Sequence, residues 1–190
     1  MRTIATELEG VVVVEPQVHG DERGFFLETL HIERYRAAGI ELNARGGGPV
    51  QLNHSRSARG TLRGLHFQEP RPQGKLVWAV AGAVFDVAVD VRRGSPTFGR
   101  WTAVVLSAEN RREFWIPEGF AHGFVVLSER AIFHYLCTAP YVREADAGLR
   151  WNDASLAIDW PVSAPSLSEK DAHLPFLEDI VPERLPEYSA

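Results

Sequence analysis

The sequence predicts an all-β chain folded as an antiparallel sandwich or barrel, on three observations. From Gly10 onward, short apolar or alternating runs recur at intervals of about ten residues, the spacing of successive strands. Clusters of Gly, Pro, Asn and Ser stand between the runs and supply turns. No long helical period separates one run from the next, so the crossover helices that a parallel sheet requires are missing.

The elements follow in chain order. VVVVEP at 11–16 is a β-branched run closed by Pro16, and GFFLETL at 24–30 opens on a glycine. HIERYRAAG, residues 31–39, reads as a short helix ended by Gly39. Gly46-Gly47-Gly48-Pro49 reads as a flexible loop. It is a poor phosphate cradle, because no Lys-Ser/Thr follows it and no helix opens after it. KLVWAVAG at 75–82, AVFDVAVDV at 83–91, WTAVVL at 101–106, EFWIP at 113–117, HGFVVL at 122–127 and IFHYLCT at 132–138 supply the remaining strands. Residues 161–190 carry five of the twelve prolines and little strand periodicity; Leu167, Leu174, Phe176 and Leu177 are expected to hold them on the body as a packed extension. The expectation is one domain over 1–190, with a core barrel at about 45–140, strands 8–30 ahead of it and the extension 161–190 behind.

Composition narrows the function classes. The 190 residues are 45% hydrophobic and 24% charged, as in an ordinary soluble domain. No stretch approaches the roughly 18 uninterrupted apolar residues of a membrane helix, so no membrane role is expected. Twenty basic against 25 acidic side chains leave a net charge of -5, which gives no long-range pull on nucleic acid and makes any anion site local. The one cysteine, Cys137, excludes an internal disulfide and a multi-cysteine zinc site. The first ten residues lack a signal pattern, and the expected location is the cytoplasm.

Seven histidines invite a metal hypothesis, which their spacing tests. Gly60, five residues, His66-Phe67-Gln68, then Lys75 with Gly82 after six more residues, resembles the frame of the first cupin motif. Pro117-Glu118-Gly119-Phe120-Ala121-His122 resembles the core of the second. The implied fold is a cupin-type jelly-roll barrel with short helices. Metal-binding cupins place a second histidine and a carboxylate where this chain has Gln68 and Lys75. An ammonium repels a divalent ion and attracts a phosphate, so no metal is expected and the pocket is turned toward anions.

The surrounding motifs are more specific. GDERGFFLETL at 20–30, QLNHSRSARGTLRGLHFQ at 51–68, QGKLVWAVAGAVFDVAVDVRRGSPTFGRW at 73–101, LSAENRREFWIPEGFAHGFVVLSE at 106–129 and LRWNDASLAIDWP at 149–161 closely resemble the dTDP-4-dehydrorhamnose 3,5-epimerase family. The resemblance runs from about residue 8 to 175. It implies a metal-free, cofactor-independent isomerase acting on dTDP-4-dehydro-6-deoxyglucose, on the route to dTDP-L-rhamnose.

The chemistry is consistent with the residues. C3 and C5 of a 4-keto sugar both lie alpha to the carbonyl, so loss of either proton gives an enolate, and reprotonation from the other face inverts the centre. The resemblance implies His66 as base, Asp171 as the carboxylate that orients it, Tyr135 as acid and Lys75 as the cation beside the enolate oxygen. It also implies Arg23 and Arg63 on the diphosphate, Tyr141 stacked on thymine, and His122 at the mouth of the substrate pocket. Glu28, Gln51, Leu52, Asn53, Asp146 and Lys170 fall at further binding positions. His54 takes the structural default, as the one of the remaining histidines with most claim to support the site from NHS. The other histidines, the five tryptophans and Cys137 are read as structural. The family exchanges its N-terminal strands between subunits, which implies a homodimer in which Arg23 and Glu28 serve the partner's site.

Some positions depart from the family. Leu52 stands for an acid, Leu136 for the lysine after the tyrosine, Ala139 and Pro140 for an acidic or amide residue and a tyrosine, and Trp78 for a basic residue. These changes keep a single-centre 3- or 5-epimerase as an alternative. A non-catalytic sugar-nucleotide binding protein is the rival from another class, and it has no use for an acid and base pair.

Overall fold

The computed structural model describes residues 1–42 and 51–189. Its strands are β1 Arg2–Ala5, β2 Val12–Glu15, β3 Val18–Asp21, β4 Gly24–Leu27, β5 Gln51–Ala58, β6 Leu62–Gln68, β7 Lys75–Ala81, β8 Ala83–Asp90, β9 Trp101–Ser107, β10 Glu113–Ile116, β11 Phe120–Val126, β12 Arg130–Cys137 and β13 Asp146–Gly148. The α-helices are α1 Ile32–Ala37 and α2 Glu169–Ala172. Two sheets face each other, in the orders β1-β2-β10-β7-β12-β5 and β13-β6-β11-β8-β9, and β3 and β4 form a separate hairpin. Every pairing between these strands is antiparallel, which gives the expected β-sandwich.

Side-chain alternation sorts the residues into layers. Val77 and Ala79 of β7, Val84 and Ala88 of β8, Phe124 and Val126 of β11, and Ala131 and Phe133 of β12 fill the space between the sheets. The alternate residues Leu76 of β7 and Leu136 of β12 pack outside the first sheet, with Tyr35 and Ile40 of the helical segment. There Tyr35 donates its hydroxyl hydrogen bond to the buried carboxyl of Glu113, which burial pushes up to about 8. Outside the second sheet, Leu65, Val87, Val89 and Val125 are covered by Leu156 and Trp160, with Leu167, Leu177 and Leu185 of the extension. The chain from 161 onward is therefore held by apolar burial, and by backbone bridges from Thr61 to Ser166 and from Arg93 to Glu187.

Several expectations need correction. The helix covers 32–37, shorter than the predicted 31–39, and the strand predicted from His122 begins at Phe120. β1, β3 and β13, of three or four residues each, have too little sequence to show a period, and α2 is a single turn inside the proline-rich tail. In the stretch 8–30, β2 belongs to the chain's own six-stranded sheet, and the β3–β4 hairpin lies outside both large sheets. The Gly46-Gly47-Gly48-Pro49 loop lies outside the described residues.

One close approach sets the register of the site. Gly64 has φ +119, and a Cβ there would lie 2.6 Å from Gly123 Cα and 2.7 Å from the His122 carbonyl oxygen. Gly64→Ala must push β6 off β11, two residues before His66, in a backbone conformation that L residues rarely adopt. The expected loss is about 2–4 kcal/mol in urea unfolding. A loss under about 0.5 kcal/mol, the scale of a neutral surface change, would contradict this packing.

Candidate active site

At one end of the sandwich the apolar interior gives way to polar groups. β6 and β11 deliver Arg63, His66 and His122 from one sheet, and β7 and β12 deliver Lys75 and Tyr135 from the other. Lys170 and Asp171 of α2 close the side, and the whole lines a cavity of about 220 Å³. A recess of about 410 Å³ shares His66, Lys75, Tyr135 and Lys170 with it and extends to Gln51, Asn53, Tyr141 and Asp146. A two-part cleft of this kind has room for a sugar in one part and a nucleotide in the other.

His66 Nε2 lies 2.6 Å from Asp171 Oδ1, and Asp171 is buried. A carboxylate only accepts, so in neutral His66 the proton sits on Nε2 and the basic lone pair is on Nδ1. Burial works to raise the Asp171 carboxyl, but the hydrogen bonds from His66, the Ser168 hydroxyl and the Gly64 backbone outweigh it and hold the group below its usual range. Ser168 is the N-cap of α2 and accepts from the Asp171 N–H, so the short helix fixes the carboxylate.

Tyr135 faces this pair from the opposite sheet. It is half-buried; burial and nearby Cys137 push its phenol up, against the pull of Arg63, and it stays protonated at neutral pH. Lys75 is buried, and desolvation lowers it while Cys137, Asp146 and Asp86 hold it up. A base, an acid on the far side and a cation therefore border one cavity. That set can take a proton from carbon alpha to a carbonyl, stabilise the enolate oxygen and return a proton to the other face.

Amide side chains build the recess. Gln51 accepts from the Tyr141 N–H at 2.8 Å and donates to Asn53 at 2.9 Å. Gln68 donates to the Arg71 and Pro140 carbonyls and accepts from the Val142 N–H at 2.7 Å, and Gln73 donates to the Ala139 carbonyl at 2.7 Å. Tyr141 donates its hydroxyl to Asp146 at 3.1 Å, and Asp146 also pairs with Lys170. The Tyr141 ring itself is 53% exposed beside the recess, open for a planar base. Arg63 donates to Ser57 at 3.1 Å and keeps an exposed guanidinium at the cavity edge.

Three expected residues stand elsewhere within this chain, and one lies deeper than expected. Leu52 is 60% exposed and turns away from the recess, because strand alternation puts it on the face opposite Gln51 and Asn53. His54, read as structural, shares that outer face, where its Nδ1 lies 2.7 Å from His134 Nε2. Arg23 pairs with Asp21 at the hairpin turn, and Glu28 pairs with Arg34, both outside the cavity of the same chain. His122 is buried on the cavity floor and bonded to Asp86, because its strand runs through the middle of the second sheet. Sequence reasoning also missed Asp86, Ser168 and Phe124. An acid in the apolar run AVFDVAVDV was the available signal for the first.

At the cupin ligand positions, the Gln68 amide is committed to backbone groups and Lys75 offers an ammonium. Among the described residues no three His, Cys, Asp or Glu side chains converge as metal donors.

Comparison with known proteins gives a consistent set of likenesses. The profile of the family described as dTDP-4-dehydrorhamnose 3,5-epimerase matches residues 5–179. A dTDP-4-dehydrorhamnose 3,5-epimerase of Methanothermobacter thermautotrophicus is 51% identical over 173 residues, covering 90% of this chain and 91% of that protein. The structure of a dTDP-6-deoxy-D-glucose-3,5-epimerase from Legionella pneumophila in complex with dTDP-4-keto-L-rhamnose superposes with a TM-score of 0.94 at 49% identity, over 100% of this chain and 99% of that one. A 3'-monoepimerase from Streptomyces bikiniensis in complex with dTDP-quinovose is further away, with a TM-score of 0.85 at 37% identity over 96% and 92% of the chains.

Proposed function

Because the chain belongs to the dTDP-4-dehydrorhamnose 3,5-epimerase family, we propose that it inverts C3 and C5 of dTDP-4-dehydro-6-deoxyglucose through enolates, giving dTDP-4-dehydro-L-rhamnose for dTDP-L-rhamnose synthesis. The observation that carries this is the His66–Asp171 pair facing Tyr135 across a cavity that also holds Lys75. His66 Nδ1 takes the proton from the carbon alpha to C4, and Asp171 stabilises the imidazolium that forms. Lys75 lies beside the C4 oxygen as negative charge develops there. Tyr135 returns a proton to the opposite face; its phenolate then regains a proton from solvent while His66 releases its own, which resets the site for the second centre. His122 binds the sugar, while Arg63 and Lys170 hold the diphosphate. Tyr141 stacks on thymine, with Gln51, Asn53 and Asp146 shaping its recess.

The reaction proposed here uses no cofactor and takes place in the cytoplasm, within one domain over residues 1–190 whose barrel occupies about 45–140. Identity of about half over nearly the whole chain favours two centres over the single centre of the more distant monoepimerase. Incubating the protein with dTDP-4-dehydro-6-deoxyglucose and separating the products tests the assignment. Formation of the L-rhamno ketone supports it, and an unchanged substrate contradicts it.

The active unit is a homodimer in which Arg23 and Glu28 complete the partner's site and Phe25 and Phe26, 58% and 70% exposed, are covered. If so, co-expressed His66→Ala and Arg23→Ala subunits form hybrids with one intact site, and activity recovers to about a quarter of wild type. No recovery would place Arg23 in its own subunit's site, and full activity of Arg23→Ala by itself would place it outside any.

A further inference from the structure

The nucleotide part of the cleft depends on a segment that neither sheet includes. β12 ends at Cys137, and among the described residues no strand pairs with 139–142, which run on to a single helical turn at 143–145. Without a ladder partner, the N–H and C=O groups of such a segment have to be satisfied by side chains or water. Three glutamines do this. Gln73 donates to the Ala139 carbonyl at 2.7 Å, and Gln68 donates to the Pro140 carbonyl at 3.3 Å. Gln51 accepts from the Tyr141 N–H at 2.8 Å, and Gln68 accepts from the Val142 N–H at 2.7 Å. Four consecutive residues are each held by an amide side chain.

The glutamines reach the segment from both sheets. Gln51 opens β5 and Gln73 stands two residues before β7, strands of the first sheet, while Gln68 closes β6 in the second. Glutamine suits the task because one planar amide offers donors and an acceptor together. Gln68 uses both sides, and its second N–H goes to the Arg71 carbonyl at 2.9 Å. Gln68 and Gln73 border the recess but are only 3% and 8% exposed, so water replaces a lost bond poorly. With both amide hydrogens given to carbonyls, Gln68 has none left for a nucleotide. The Tyr141 ring is tied at its far end as well, through its hydroxyl to Asp146.

We propose that Gln68 and Gln73 are positioning residues for nucleotide binding, which hold 139–142 so that the Tyr141 ring is set in place before the base arrives. The role rests on the reading of Tyr141 as the platform for thymine. When the cradle is broken, only a fraction of the molecules keeps the ring in place, and the apparent affinity falls by that fraction. Once substrate is bound, the acid and base of the neighbouring cavity act as before. The loss therefore falls on KM and spares kcat, and it is carried through Tyr141.

A double-mutant cycle on Gln68 and Tyr141 tests this, with dTDP affinity read by titration calorimetry and turnover of the keto sugar read by steady-state kinetics. Gln68→Met keeps the length of the side chain and removes the amide. Its Kd for dTDP and its KM are expected to rise about 10-fold, with kcat within about threefold of wild type. Combined with Tyr141→Ala, it is expected to weaken binding by less than about twofold beyond Tyr141→Ala alone, because the ring it positions is gone. If Gln68→Met does not fold, Gln73→Met, which removes one bond, is expected to raise Kd by about threefold with the same dependence on Tyr141. Wild-type affinity in a folded glutamine variant, or a loss that is just as large in the Tyr141→Ala background, overturns the cradle and leaves the thymine reading standing. Wild-type affinity in Tyr141→Ala overturns both.

Discussion

Replacing His66 with alanine lowers kcat by about 10³-fold or more and leaves the affinity for dTDP within a few-fold, because the imidazole is the group that takes the proton and adds little to nucleotide binding. Of the seven histidines, His66 is the one that borders the cavity paired with Asp171. His54 and His134 bond each other on the outer face, and His122 is tied to Asp86. Asp171→Asn retains the shape but offers an amide in place of an acceptor-only carboxylate, so the ring loses both its fixed tautomer and the counter-charge of its cation. A loss of about 10²-fold or more is expected. The Asp171 carboxyl is held below its usual range, so its stabilising interaction is present at neutral pH and is lost only as acid carries the protein down through that lowered value. The stability gap between Asp171→Asn and wild type therefore closes at low pH. Full activity in His66→Ala would remove the base assignment.

Tyr135→Phe separates proton removal from proton return. The ring keeps its contacts in the interior cluster with Phe133 and Phe124, so the variant is expected to fold. His66 can still form the enolate and, once its imidazolium has exchanged with solvent, return a proton to the same face, which exchanges hydrogen without inverting the centre. Inversion is expected to fall by about 10²-fold or more at one centre and less at the other, where water takes the place of the phenol. Following the C3 and C5 signals separately during turnover measures this. A small and equal loss at both positions would deny Tyr135 the acid role.

The sequence made the barrel legible where strands are long enough to alternate. Runs such as KLVWAVAG and IFHYLCT have inner and outer residues that match the observed layers, and the His66 and His122 motifs become cross-strand neighbours. β13 and α2 were not legible, because three or four residues carry no period. They matter all the same, since α2 delivers Asp171 and β13 carries Asp146. Asp86 was hidden differently. Within AVFDVAVDV an acid reads as the polar side of an alternating strand, and only the packing of the second sheet onto the first shows that this side is the interior.

Leu52 shows the opposite failure. Motif position alone put it in the binding set, while the period of two assigns it to the outer face. Gln68 was read only as a lost metal ligand, yet it anchors the loop that presents Tyr141. Arg23 and Glu28 were assigned to a second subunit only through the family's strand exchange. Their geometry within one chain leaves them on the hairpin and beside α1.

The central claim is that one cavity removes and returns protons at both carbons flanking the ketone. Proton NMR of dTDP-4-dehydro-6-deoxyglucose with the wild-type protein in deuterated water tests it directly. The account predicts loss of both the C3 and C5 proton signals, with the ring converted to the L-rhamno configuration. Exchange at one carbon alone would make the protein a single-centre epimerase, and exchange at neither, with dTDP still bound, would contradict the catalytic reading of His66, Tyr135 and Lys75.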